Sequence, residues 1–410
     1  MKTILKISFL FLLFIAFSCS KDDAPTPEPI VQPEPEAVNQ APSIVSLIAP
    51  AADAKNVDIR PTFRWEAAID PDGDQITYEI YADTTATPST LISATAETSF
   101  EIEERLHLLE NYNWIVKATD GRGGESESAI QNFETRTVIT SNATTTPGFD
   151  KRILHSSTTF NNKIWVIGGL SLNSPSPLND VWSSEDGIDW NLVTASADFA
   201  PRNGHKTFAF DNKLWLIGGF VNGVGNTKEV WNTDDGITWN LVSPEAGFSS
   251  NSLEDLVVFD GKMWVINGEV WFSEDGLVWS LAHDDFDLRG STTVFQNKLW
   301  SIEENGTAIH VSEDGFEWTT LDTNISPIIS SFNNMDNILL SYDDKLWILD
   351  GREQKIVFSK DGVSWKIAEE NTAIPFLLFY TSVINDDKIW VIGGASGGTN
   401  NFQDDVWVIN

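Results

Sequence analysis

The sequence is poor in cysteine, histidine and positive charge. One cysteine in 410 residues leaves no disulfide framework. The five histidines, His107, His155, His205, His283 and His310, show no close metal-ligand spacing. Lysine and arginine total 26 against 60 acidic residues, a formal charge of −34. Such a chain repels phosphate backbones, which argues against nucleic acid as a partner. No Gly-rich phosphate loop and no nucleophile elbow occurs. The apolar run Ile7 to Phe17 is too short to span a bilayer.

That run follows Lys2 and Lys6 and leads into Ala16-Phe17-Ser18-Cys19. A basic start, a short apolar stretch and small residues before a cysteine resemble a bacterial lipobox. The resemblance implies a signal peptide over residues 1–19, lipidation of Cys19 and a membrane partner through the lipid. Ser20-Lys21-Asp22-Asp23 resembles the surface-export signal of some Gram-negative lipoproteins, so the expected location is the outer membrane, at the cell surface. Residues 20–41 are rich in proline and glutamate and read as an extended linker.

Residues 42–136 read as a small β-sandwich of short strands. Trp65, the loop Asp70-Pro-Asp72-Gly-Asp74, the strand Tyr78-Glu-Ile-Tyr81 and the strand Tyr112-Asn-Trp114-Ile-Val-Lys-Ala118 resemble a bacterial fibronectin type III domain, which implies a spacer. Asp70, Asp72 and Asp74 alternate as at the start of a calcium loop. No bidentate glutamate follows, so they read as hydrated turn acids, with calcium as the one candidate cofactor.

Seventeen tryptophans are present, and they are periodic. Six segments carry Lys, an apolar residue and Trp, with lysines at 163, 213, 262, 298, 345 and 388. Gly-Gly follows in units one, two and six. In the first five units a second signature comes later: Ser or Thr, any residue, Asp-Gly, two residues, Trp, with aspartates at 186, 235, 275, 314 and 361. Asp-Gly between strands signals a tight hairpin, so these aspartates read as structural. The spacing suits four-stranded units stacked around an axis. Over roughly residues 150–410 the pattern resembles kelch repeats, and the Asp-Gly turns resemble a shortened Asp box of sialidase-like proteins. The implied fold class is all-β: a six-bladed kelch-type β-propeller over residues 137–410, preceded by the sandwich. The last unit lacks a fourth strand, and residues 137–141 are expected to supply it and close the ring.

First and third turns of each unit fall on one rim. Second turns and inter-unit links fall on the other. Long second turns occur only in units six, one and two (395–403, 170–178, 220–227), which adjoin in a closed ring. Variable loops on a rigid scaffold are where binding residues concentrate. The candidates there are Asn173, Asn179, Asn222, Asn226, Asn400 and Asn401, amides suited to hydroxyl-rich ligands, with Arg152 and Arg202 on the links. The expected role is non-catalytic binding of a glycan or protein ligand. The alternatives are a sialidase-, lyase- or epimerase-like enzyme, or a structural subunit of an envelope complex. An oxidase of the galactose-oxidase type needs a cysteine cross-linked to a tyrosine, and the sole cysteine lies in the lipobox.

Overall fold

The computed structural model describes residues 38–248, 255–266, 268–284, 290–303, 308–329 and 337–410. Cys19 and most of the linker lie outside the described residues. Among the described residues every regular element is a β-strand.

Residues 42–136 form two facing sheets. One holds Leu47–Ala49, Thr62–Trp65 and Ser99–Glu101. The other is ordered Ala54–Val57, Gln131–Thr135, Asn111–Thr119, Thr77–Asp83, Leu91–Thr95. Thr77–Asp83 alternates strictly, with Tyr78, Ile80 and Ala82 inward. Phe63, Trp65, Trp114, Val116 and Phe133 complete the core between the sheets.

Among the described residues the repeats fold into six antiparallel sheets, five of four strands and that of unit one with Arg152–Ile153 as a fifth. In unit two the strands are Lys206–Phe210, Lys213–Ile217, Val230–Thr233 and Asn240–Ser243, side by side in chain order. The first turns are tight because Asn and Asp tolerate the left-handed region: Asn161 and Asn162 sit at φ 50° and 56°, Asp343 and Asp344 at 52° and 54°. Unit six takes its fourth strand from the other end of the repeat region. Thr140–Thr144 pairs with Val406–Ile409, Thr140 opposite Ile409. The strand is bounded three residues later than the expected 137–141, but the pairing itself reaches back to Ile139, which exchanges two backbone hydrogen bonds with Asn410.

The two sequence signatures interlock between neighbouring units. Each Lys-x-Trp indole N–H donates to the carbonyl five residues back, as Trp165 does to Phe160 at 2.9 Å. The indole then lies against the glycine of the next unit's Asp-Gly turn. A Cβ on Gly236, Gly276, Gly315, Gly362 or Gly187 would come within 2.0 to 2.6 Å of the ring of Trp165, Trp215, Trp264, Trp300 or Trp390. The turn itself is fixed locally: Asp186 Oδ1 accepts from the N–H groups of Ile188 and Asp189, and Ser184 Oγ from that of Gly187. Glycine is therefore required twice, for positive φ and for the ring above it.

Candidate functional site

The first strands of all six units begin around the axis, on the rim of the links and second turns. There they line a funnel of about 510 Å³. Its wall is laced by hydrogen bonds between neighbouring units. Ser156 Oγ accepts from the Thr207 N–H at 2.9 Å, Asp255 from the Thr292 N–H, and Ser291 Oγ from the Leu339 N–H at 3.0 Å. Thr381 Oγ1 meets His155 Nε2 at 2.9 Å. In unit two this position is Lys206, half-buried, whose ammonium has no hydrogen-bond or ion-pair partner among the described residues.

His155 and His205 are buried beside the funnel. Burial, followed by the charge of Arg152, pushes the His155 imidazole down to about 3. Burial, followed by Arg202 and His155, does the same to His205, also to about 3. Both are neutral at neutral pH.

On the side formed by units six, one and two, the funnel mouth carries apolar side chains beside Asn203 and Asn226. Leu154 and Phe379 occupy equivalent link positions, each just before an inner strand, at φ 52° and 55°. Unit two has Gly204 there, at φ 66°. Glycine adopts this backbone freely, whereas a bulky side chain costs about 1–2 kcal/mol. Both side chains pack partly on a small cluster of Ile153, Ala395 and Phe402, with Leu170. Phe220, 42% exposed, stands at the same mouth.

The long second turns of units six and one thus meet as the sequence suggests, and Asn226 of unit two lines the funnel. The other candidates are placed elsewhere. Arg152 is fully buried, with two bonds to the Asp180 carboxylate and one to the Gly168 carbonyl. Arg202 is equally buried, bonded to Glu229 and the Gly218 carbonyl. Each guanidinium stacks on the phenylalanine three residues before it. They brace the links, and their burial keeps both guanidiniums away from a ligand at the rim. Asn179 caps its own link through the Ala197 and Phe199 carbonyls. Asn173 bonds Asp150, Asn401 bonds the Ser396 carbonyl, and Asn222 and Asn400 are exposed at the rim.

Asp70, Asp72 and Asp74 gather with one oxygen each inside 4.8 Å. Asp74 pairs with Arg122 and Asp72 accepts from the Gln40 N–H, so a fixed cation and a backbone donor already serve the group.

Sequence reasoning did not find Leu154, Phe379, Phe220 or Lys206. The signal available was Gly204 standing opposite two bulky residues in equivalent repeats.

Residues 184–328 match the family model described as DUF6242 beta propeller domain. A solved structure described as "Structure of YjhT" superposes with a TM-score of 0.50 at 14% identity, covering 62% of this chain and 94% of that one. No curated protein matches the chain in sequence. With the sheet topology, these likenesses establish the fold of the repeat region as a β-propeller of kelch-like type.

Proposed function

We propose that this protein is a non-catalytic binding module of the cell envelope. In this reading a six-bladed propeller follows a fibronectin type III-like domain and a lipid-anchored linker. It takes a glycan at the funnel mouth between units six, one and two. The observation that carries the reading is the strained pair Leu154 and Phe379. A bulky residue kept in a conformation that Gly204 adopts freely points to a use for its side chain. With Phe220 they offer an apolar platform for the non-polar face of a sugar ring. Asn203, Asn226 and Lys206 supply donors for its hydroxyls. Of the groups at the funnel that could move protons, Asp255 is engaged with Thr292, the Tyr380 hydroxyl with the Leu349 carbonyl and His155 with Thr381, while Lys206 has no hydrogen-bond or ion-pair partner among the described residues.

Phe379→Gly and Leu154→Gly relieve backbone strain while losing packing, so unfolding free energy should change by no more than about 1 kcal/mol. Binding to a panel of neutral oligosaccharides, measured beside the unaltered protein, should fall about tenfold or more. Undiminished glycan binding in both variants would remove the site from this mouth. Failure of the unaltered protein to bind any glycan while capturing an envelope protein would change the ligand class to protein.

The anchor rests on the lipobox-like order around Cys19. Cys19→Ala is expected to abolish incorporation of a fatty-acid analogue and release the protein to the soluble fraction. Equal labelling of the variant would refute it.

A further inference from the structure

We infer that the N-terminal sandwich is built into the propeller seam, where it stands in for the turn that unit six lacks, and that it holds the funnel mouth on the side opposite to the end by which the chain enters. Five of the six Lys-x-Trp indoles are covered by the next unit's Asp-Gly turn. The sixth, Trp347, faces unit six. There the third turn is replaced by the junction of Ile139 with Asn410, and no Asp-Gly exists. Trp347 is nonetheless 0% exposed. Its buried cluster contains Ile59 and Leu108 of the sandwich and Val138 of the connecting segment. Apolar residues from the preceding domain thus occupy the place of a missing repeat element.

The polar groups around this seam are rerouted in the same way. In five units the repeat lysine is partly exposed and pairs with an acid of its own unit, as Lys213 does with Asp234 and Lys388 with Asp386. In unit five Lys345 is 1% exposed and pairs across the junction with Glu110 at 3.0 Å. The turn residue Asp343 accepts from the Leu108 N–H at 2.7 Å and meets His107 Nδ1 and Arg105, each at 3.0 Å. Lys360, on the third turn, also reaches Glu110. The surrounding acid and base groups face one another, so no buried charge is left alone.

These contacts lie on first and third turns, the rim opposite the funnel. Strand Asn111–Thr119 starts beside Glu110 at the junction and runs nine residues away, about 30 Å. Beyond its far end Asp120 holds Asn39 at 2.7 Å. The chain therefore enters at the distal tip of the sandwich. Tip, sandwich, closed rim and open funnel follow in line, and a ligand is met from the side facing away from the tether. The stacking holds whatever the ligand is.

The test uses the full chain carrying Cys19→Ser, with spin labels on cysteines placed at Arg122 and Asn222. One narrow distance distribution is expected, and a broad one would overturn the inference. In parallel, Leu108→Asp should speed amide exchange in Lys345–Asp350 roughly a hundredfold and leave Lys262–Ile266 unchanged. Equal acceleration in both strands, or none in either, would also overturn it. Should Leu108→Asp fail to fold, the distance measurement alone decides.

Discussion

Asp343→Ala is expected to lower the unfolding free energy by about 3 kcal/mol, the low end of what removing one partner of a buried ion pair costs. The carboxylate is almost wholly enclosed and serves several donors at once: the Leu108 N–H, His107, Arg105 and Lys345. Burial by itself would raise its pKa. The His107 hydrogen bond, Lys345, the Leu108 N–H and Arg105 together outweigh burial and hold it below the usual carboxylate range. Without it, Lys345 retains Glu110 as its ion-pair partner, and the Leu108 N–H loses its acceptor in a closed interface. Asp386 is the control. It occupies the same turn position in unit six, lies exposed and among the described residues pairs with Lys388 alone, so Asp386→Ala should cost less than about 1 kcal/mol. Chemical denaturation of the two variants side by side measures the difference. Equal losses would mean that the junction contributes nothing beyond an ordinary surface pair.

The same comparison shows what a sequence with repeats can and cannot reveal. Lys-x-Trp and Asp-Gly were legible because each unit solves one local problem, a tight turn under an indole, and solves it repeatedly. The fourth strand of unit six was legible within a few residues, because an unfilled sheet edge demands a partner. The cover on Trp347 was not legible. Ile59 and Leu108 come from a region with no repeat pattern, and nothing local marks an apolar sandwich residue as the complement of a distant indole. The funnel was legible as a rim, and of the candidate residues Asn226 lines it. Arg152 and Arg202 drew attention as charges on links, yet each has an acid on its own unit's third strand or just before it, Asp180 or Glu229, as partner. Leu154 and Phe379 are unremarkable in sequence, because strain is a property of φ and not of residue type.

Acid is expected to destabilise this protein before its carboxylates titrate, and His155 and His205 are the cause. Burial, with Arg152 and Arg202 next in effect, holds both imidazoles at about 3 in the folded state. In the unfolded chain an imidazole titrates near about 6.5. Between these values the unfolded state binds more protons, so stability rises with pH across that interval. The stability is fully present above about pH 6.5 and is lost as pH falls toward 3. At pH 5 the loss is about 2 kcal/mol for each histidine, about 4 kcal/mol together. His107 works in the opposite direction. Its hydrogen bond to Asp343 raises its pKa, so its contribution is present below the unfolded value and fades as pH rises through the folded one. It is half exposed, and its effect is correspondingly small. The turn aspartates are lowered, Asp235 chiefly by the Ile237 N–H and Asp275 chiefly by the Val278 N–H. Their contributions are lost only below about pH 4, too late to account for an earlier fall. Urea denaturation at pH 7.5, 6 and 5 should therefore show a steep decline, and His205→Gln should flatten it by about half whatever that variant's stability at pH 7.5. An unchanged slope in His205→Gln would show that this imidazole does not stay neutral in the folded protein.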